Sequence, residues 1–225
     1  MESTFEKTTQ NTLVIGGSTI PGVYILTPFI KKFQGKHAHV KITLQIGDTR
    51  KIINMVSQGA IEIGLVGARY EDKRLHFEEF SKDELVLAFS SNHPWNGRAE
   101  VFLDDLRQQP FILREVGSGT RAVLEKIFHD KGIDIKRDLR IACELGSAEA
   151  VKEGILAGVG VSILSRLAVA RELKFGLLKI SKIKGMHLQR ILYQVDNVHR
   201  VKSPLCQEFL ELLESEIRLP LEGPR

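Results

Sequence analysis

The 225-residue chain is poor in cysteine, has no long apolar run and lacks the features of a secretory leader. Its two cysteines, Cys143 and Cys206, have no CxxC neighbour and no metal-ligand spacing, which argues against a disulfide scaffold and a cysteine-bound metal. No apolar run approaches the ~20 residues that a membrane-spanning helix requires. The N-terminal residues are polar and carry no apolar leader core. These scarcities predict a cytoplasmic protein with buried free thiols and no membrane contact.

Catalytic patterns are also scarce. The segment Gly117-Ser118-Gly119 lacks the Lys-Ser/Thr pair of a Walker phosphate-binding loop, and the chain has no GxSxG nucleophile elbow. The histidines are scattered, and their one close pair, His37 and His39, falls on a predicted surface loop. Serine and threonine without a neighbouring base serve as hydrogen-bond donors rather than as nucleophiles. The sequence therefore predicts a binding protein rather than an enzyme, with no metal and no other cofactor.

The overall composition is that of an ordinary globular protein. Hydrophobic residues make up 43% and charged residues 27% of the chain, which suits one large or two small domains with a real core. The formal net charge of +4 is spread along the sequence. The densest basic stretch, 179–184, alternates with Ile and Ser and is typical of a strand with one solvated face. We therefore expect no direct contact of this chain with nucleic acid.

Strand and helix patterns alternate along the chain, which predicts an α/β fold with parallel sheets and right-handed crossovers. A change of composition near residue 90 divides two sets of strands and helices of similar size. Residues 68–84 are charged and are predicted to form a connection. The predicted strands are 12–17, 40–46, 61–67, 84–89, 111–113, 139–145, 159–164 and 189–195.

Three of these strands run directly into a small polar turn and then a helix. A helix N-terminus offers unpaired backbone N–H groups and the positive end of the helix dipole, so it favours anions. The strands end near residues 17, 114 and 145, and a fourth strand ends at Gly67. The residues predicted to bind a ligand at these ends are Ser18, Thr19, Gly67, Ala68, Ser118, Gly119, Thr120 and Ser147.

Two interpretations of these strand ends stay open. In one, the hydroxyl groups only cap their helices; in the other, they converge on a cleft and bind a ligand. Within the turns 18–22, 117–121 and 146–149, Glu149 is the only carboxylate, so the binding interpretation favours an anion over a cation. A sulfur or selenium oxyanion or a carboxylate metabolite fits this pattern.

Several motifs along the chain resemble those of LysR-type transcriptional regulators. The stretch 59–67, Gly-Ala-Ile-Glu-Ile-Gly-Leu-Val-Gly, resembles their G-x-(L/I)-D-(L/I)-(G/A) segment, and His93-Pro94-Trp95 resembles their (H/D)-P-L turn. The stretches 103–112 and 151–161 are similar to their L-x-x-L-x-x-x-P-(F/L)-I and V-x-x-G-x-G-(I/V) patterns. The order and spacing of these motifs extend the resemblance over about residues 12–215.

The resemblance implies an effector-binding domain with two Rossmann-like subdomains and a central cleft, like a type-2 periplasmic binding protein. It places subdomain I at 12–89 and 190–217 and subdomain II at 90–189. Residues 1–11 become a linker or disordered lead, and 218–225 a tail. Two crossover strands, near 85–90 and 189–195, connect the subdomains. The alternative with a similar fold is a free-standing solute-binding protein of a transporter for a small anion.

The same resemblance implies partners and a ligand position. Members of the family bind DNA through an N-terminal helix-turn-helix, which residues 1–11 cannot hold, and are usually tetramers whose isolated effector domains form homodimers. The stretches 66–69 and 114–121 look most like the branch that regulates sulfur, selenium or carbon assimilation, and Ser18 matches the first hydroxyl ligand position. Ile20, Pro21 and Gly67 stand where members that sense sulfur metabolites often carry polar side chains, so the identity of the small anionic effector stays open.

Overall fold

The computed structural model describes residues 11–217 and divides the chain into two compact α/β units. Unit 1 is Met1–Lys82 with Ile191–Arg225, and unit 2 is Asp83–Arg190. The predicted lead 1–11 and tail 218–225 lie outside the described residues, except for Asn11. The first passage between the units falls inside a long strand, before the position near residue 90 at which the composition changes. The second passage lies between Arg190 and Ile191.

Strands and helices alternate along most of the chain. The strands are β1 (Thr12–Ser18), β2 (Lys41–Gly47), β3 (Ile63–Val66), β4 (Leu75–Ser90), β5 (Glu100–Val101), β6 (Pro110–Arg114), β7 (Arg140–Leu145), β8 (Ser162–Ser165), β9 (Leu178–Ile183) and β10 (Gln189–Asn197). The helices are α1 (Thr27–Lys36), α2 (Thr49–Gln58), α3 (Leu103–Arg107), α4 (Gly119–His129), α5 (Ile135–Asp138), α6 (Ala148–Leu156), α7 (Arg166–Lys174) and α8 (Pro204–Ile217).

The sheet of unit 1 has the strand order β2-β1-β3-β10. β1 runs parallel to both β2 and β3, while β10 is antiparallel to β3. The register pairs Ser18 with Gly47 and Gly17 with Leu65. The carboxyl ends of β1 and β3 therefore meet at one edge of the sheet, which brings Ser18 close to the segment that begins at Gly67.

The helix after β1 starts with an irregular turn. A π-helical turn, Pro21–Leu26, continues into α1 at Thr27, and Pro28 lies in the first turn of α1. The sequence predicted a kink or restart at Pro28, because proline lacks the N–H group that an uninterrupted helix needs. Gly17 and Gly22 let this turn approach β1 closely, since a Cβ on Gly17 would lie 2.5 Å from Gly22 Cα.

The core of unit 1 contains an aromatic cluster between α1 and α8. The ring of Phe209 lies 5.1 Å from that of Phe29 and 5.2 Å from that of Phe33, both in edge-to-face geometry. All three side chains are buried against the apolar residues of β1 and β3. Apolar residues at positions 26, 29, 30 and 33 have helical spacing and predict one buried face of α1. This spacing does not show that α8 covers that face.

Unit 2 combines parallel and antiparallel pairs. β6 and β7 are parallel, and an isolated bridge places Val161 parallel to Phe111 of β6. In contrast, β4 is antiparallel to both β8 and β9. The prediction of parallel sheets was therefore correct around β6 and wrong around β4 and β10. Alternation of strands and helices predicts parallel pairing only for strands joined by a helical crossover, and the two strands that pass between the units are not joined in this way.

The prediction of a connecting loop at 68–84 was wrong for most of its length, because β4 begins at Leu75. The first half of this strand is rich in charged and polar side chains, and several of them are solvent-exposed. A strand that buries little surface lacks the apolar alternation by which sequence reasoning recognises it.

The His93-Pro94-Trp95 turn is part of the core of unit 2. His93 Nδ1 accepts a hydrogen bond from the Trp95 backbone N–H at 3.2 Å, and Nε2 lies 3.3 Å from Gln109 Oε1. Burial lowers the pKa of His93, although the bond to Gln109 raises it. The neutral ring donating from Nε2 satisfies both partners, so this motif serves packing rather than ligand binding.

Both cysteines are free thiols, with Cys143 half-buried and Cys206 buried. Burial, together with the nearby Glu62 carboxylate, raises the pKa of Cys206 to about 12. The thiolate is the reactive form of cysteine, so Cys206 is an inert core residue. Among the helices of residues 11–217, none has the length and apolar character that crossing a bilayer would require.

Candidate functional site

In unit 1, the predicted residues gather at the carboxyl ends of β1 and β3. Ser18 ends β1 and is 5% exposed, Thr19 begins the helical turn after it, and Gly67 and Ala68 follow β3 and are buried. No side chain in residues 11–217 hydrogen-bonds to the Ser18 hydroxyl, and the first residue of the π-helical turn has no side-chain cap. This edge thus presents a hydroxyl, on a largely buried residue, that the described part of the chain leaves unused.

Near the same edge, an arginine that the sequence analysis did not assign to the site lies over an aromatic ring. The guanidinium of Arg69 lies 6.0 Å from the ring centroid of Tyr193, close enough for a cation–π contact. Arg69 is solvent-exposed and directly follows Ala68. It carries a positive charge on the residue that follows Gly67 and Ala68 in the chain.

In unit 2, the N-terminus of α4 carries three of the predicted residues. Ser118 is the N-cap residue and is only 3% exposed, yet its side chain makes no capping hydrogen bond. Gly119 and Thr120 form the first turn of the helix and are buried. Within residues 11–217, no acceptor pairs with the backbone N–H groups of Gly119, Thr120 and Arg121. The start of α4 therefore offers three N–H donors and one hydroxyl that the described protein does not use.

Ser147 behaves differently from Ser118. Its hydroxyl oxygen accepts a hydrogen bond from the Ala150 backbone N–H at 3.0 Å and so caps α6. The same arrangement is found at Asp48 of α2 and Ser165 of α7, whose side chains accept from backbone N–H groups in the first turn. The capping interpretation therefore describes Ser147, while the hydroxyl of Ser118 has no such role.

Thr120 is tied to a buried ion pair that sequence reasoning missed. Its Oγ1 accepts a hydrogen bond from Arg190 Nη1 at 3.0 Å, and Arg190 Nε donates to Asp83 Oδ2 at 2.8 Å. The side chains of Asp83 and Arg190 are 1% and 2% exposed. Ser165 Oγ donates to the other carboxylate oxygen of Asp83 at 2.7 Å. Asp83 and Arg190 are separated by 107 positions, and no local pattern connects them.

Two further buried arginines flank the start of α4, and each is neutralised. Arg114 forms a two-pronged pair with Glu115 at 2.7 and 2.8 Å. Arg121 donates to Glu125 at 2.7 Å and to Glu144 at 2.8 Å. Burial lowers the pKa of Arg121, but the carboxylates outweigh this effect and raise it overall. The unused donors at the start of α4 are therefore uncharged groups. The two arginines next to them are each paired with carboxylates.

The two helix starts of unit 2 share one sheet edge. β6 and β7 are parallel, with Arg114 opposite Leu145, so the turns that lead to Ser118 and Ser147 leave from the same end of the pair. No group of three His, Cys, Asp or Glu side chains suited to a metal ion occurs in the described part of the chain. The arrangement suits hydrogen-bonded recognition of a small acceptor-rich molecule.

The family profile described as "LysR substrate binding domain" matches residues 6–218 of this chain. Among curated proteins, the chain is 31% identical over 207 residues to a probable RuBisCO transcriptional regulator of Cyanidioschyzon merolae, covering 89% of this chain and 68% of the relative. It is 30% identical to a protein of the same description from Porphyra purpurea, covering 88% of this chain and 63% of the relative. The chain thus spans about two thirds of the length of these relatives, which are described as regulators and not as transport proteins.

Solved structures agree with this grouping. The regulatory domain of CcmR from Synechocystis PCC6803, solved in complex with 2-PG, superimposes with a TM-score of 0.84 at 26% identity, covering 93% of this chain and 99% of that domain. The effector-binding domain of QuiR has a TM-score of 0.81 at 18% identity, covering 92% of this chain and 97% of that domain, which shows the shared fold. Both comparisons confirm the predicted fold class, a two-subdomain α/β domain like a type-2 periplasmic binding protein. The chain belongs to the LysR substrate-binding family and is an effector-binding domain of LysR-type transcriptional regulators, related to those of carbon assimilation.

Proposed function

We propose that this domain senses a small anionic metabolite and so controls transcription by a LysR-type DNA-binding regulator. In this proposal the anion binds between the two subdomains, in the cleft expected of the family. The observation that carries the proposal is the start of α4, where the Ser118 hydroxyl and three backbone N–H groups have no protein partner among residues 11–217. Donors at a helix start that no protein acceptor uses are available to an acceptor-rich ligand, and the positive end of the helix dipole favours an anion there.

The chemistry of both strand ends favours an oxyanion or a carboxylate. Ser118 in unit 2 and Ser18 in unit 1 each carry a hydroxyl at a helix start that no described residue uses, and the helix dipole is positive there. Arg69 adds one exposed positive charge in unit 1. The other residues of the proposed site are Thr19, Gly67 and Ala68 in unit 1 and Gly119, Thr120 and Ser147 in unit 2. We choose 2-PG, the molecule named in the CcmR complex, as the first compound to test.

The Ser118→Ala variant is expected to bind 2-PG about ten- to a hundredfold more weakly than the parent chain. The reason is that a hydrogen bond to a charged ligand contributes about 1.5–3 kcal/mol. Ser18→Ala is expected to show a loss of the same order. Isothermal titration calorimetry with 2-PG, sulfate and phosphate measures the affinities, and thermal melting of each variant reports its stability.

Ser147→Ala is the matched control, because this hydroxyl caps α6. We expect it to lower stability by about 1 kcal/mol and to change the affinity far less than Ser118→Ala. If Ser18→Ala and Ser118→Ala both keep the parent affinity for an anion that the parent binds, the proposed binding site is wrong. If the parent binds none of the three anions, the choice of a small anion as effector is wrong.

We further propose that the domain forms a homodimer through β2 and α1, and a tetramer in a full-length regulator that contacts DNA through a helix-turn-helix. β2 lies at the edge of the unit 1 sheet, and Ile46 on it is 44% exposed. Sedimentation of the chain at micromolar concentration should show a species of twice its 25.3 kDa mass. Ile46→Asp should shift it to the monomer, whereas Val201→Asp, at another exposed apolar residue, should not. A monomeric parent chain contradicts the proposal.

A further inference from the structure

We propose that Arg190 is a positioning residue for the anion site, since it fixes the Thr120 hydroxyl as a hydrogen-bond donor toward the ligand. This inference rests on the proposed function and deepens it. Neither residue of the ion pair Asp83–Arg190 belongs to the ligand set predicted from sequence, and both lie where the chain passes between the two units.

The direction of each hydrogen bond supports the inference. A guanidinium can only donate, so the Arg190 Nη1 contact at 3.0 Å makes Thr120 Oγ1 the acceptor. The hydroxyl proton of Thr120 must then point elsewhere, and no side chain or backbone oxygen within residues 11–217 accepts it. Thr120 is only 3% exposed, so this unused donor is buried. It lies in the first turn of α4, next to the unused Ser118 hydroxyl and three free N–H groups.

The surroundings of Arg190 hold it in this orientation. Asp83 Oδ2 accepts from Arg190 Nε at 2.8 Å and lies 2.7 Å from Nη2, so the carboxylate pairs with one edge of the guanidinium. Ser165 Oγ donates to Asp83 and itself accepts from the Leu167 backbone N–H at 3.2 Å. These two hydrogen bonds connect the start of α7 to the Asp83 carboxylate, and in each of them the donor is on the α7 side. The third nitrogen of the guanidinium, Nη1, donates to Thr120 Oγ1. The hydroxyl proton of Thr120 is then available to the ligand.

The ion pair would favour an anionic ligand through the hydroxyl of Thr120 rather than through a net charge. Asp83 balances the charge of Arg190, so the pair adds no net positive charge to the site. Its effect is to polarise the Thr120 O–H bond, because a hydroxyl that accepts from a cation becomes a better donor. A ligand oxygen with a negative charge gains most from such a donor. A ligand that needs Thr120 as an acceptor gains nothing, since that role is already filled.

A double-mutant cycle tests the inference by the affinity for 2-PG and for sulfate. Thr120→Val, which removes the hydroxyl at nearly constant volume, should weaken binding about tenfold or more, and Thr120→Ser should restore most of it. Arg190→Lys keeps a positive charge for Asp83 but not the fork that reaches Thr120, and should also weaken binding about tenfold. In the Thr120→Val background, Arg190→Lys should produce no further loss.

Ser181→Ala is the structural control, since it removes the hydrogen bond of a largely buried hydroxyl to the Arg98 backbone oxygen and takes no part in the chain of bonds to Thr120. It should lower the melting temperature and leave the affinity within about twofold. Equal fractional losses for Arg190→Lys in both backgrounds, or an unchanged affinity of Arg190→Lys beside a weakened Ser118→Ala, overturn the positioning role alone. A parent chain that binds neither probe overturns this inference together with the anion proposal on which it rests.

Discussion

Replacing Asp83 by alanine is expected to lower the free energy of unfolding by about 3–5 kcal/mol, a large part of the stability of a domain of this size. The reason is that Arg190 would keep its charge in a fully buried position without a counterion. The carboxylate also accepts a hydrogen bond from Ser165 at 2.7 Å, which would be lost as well. Asp83 is also the first residue of unit 2 and lies within β4.

Trp95 provides the measurement, because it is the single tryptophan of the chain and is buried in the core of unit 2. Its fluorescence during urea unfolding should give the loss of stability for Asp83→Ala. The double variant Asp83→Leu with Arg190→Met should recover most of the loss, because a buried ion pair can be replaced by apolar side chains of similar volume. If Asp83→Ala costs less than about 1 kcal/mol, the pair is not buried in the way that we describe.

Replacing Phe209 by alanine is expected to destabilise unit 1 by about 3–5 kcal/mol. The Phe209 ring is 1% exposed and contacts the rings of both Phe29 and Phe33, so its removal leaves a cavity between α8 and α1. Far-UV circular dichroism during urea unfolding measures the change. Hydrogen exchange of peptides from α1 and α8 locates it, since opening should become faster there.

Leu212→Ala is the control for this prediction, because Leu212 lies on the same helix and is only half-buried. We expect it to cost much less than Phe209→Ala, and Phe209→Leu should fall between the two. Equal losses for Leu212→Ala and Phe209→Ala would mean that α8 does not pack on α1 through its aromatic ring.

Local sequence signals predicted several elements and part of the candidate site. An Asp before an apolar-periodic stretch and a Gly after it predict the two ends of a helix, and Asp48 caps α2 by accepting from the Lys51 backbone N–H at 2.7 Å while Gly59 ends it with φ of 72°. The start of α4 at Ser118 was also recognised. Such signals are short-range, because a cap, a turn or an apolar face is written within a few consecutive residues.

The roles of the hydroxyl groups at helix starts needed the structure. Ser118 and Ser147 look alike in sequence, since each precedes a helix after an apolar strand. Only the backbone geometry separates them: the Ser147 side chain meets the Ala150 N–H, while the Ser118 side chain meets no N–H of α4. A capping bond depends on side-chain and backbone angles that composition does not specify.

By itself, the sequence determined the family, the α/β class and the strand ends at which small polar residues gather, because these features rest on local patterns and their spacing. Only the tertiary structure decided the antiparallel pairing of β4 and β10, the cover of α8 on α1, and the link from Thr120 to Arg190 and Asp83. These contacts join residues far apart in the chain. Their formation depends on which surfaces are left to be buried once the local elements have formed, and no single segment carries that information.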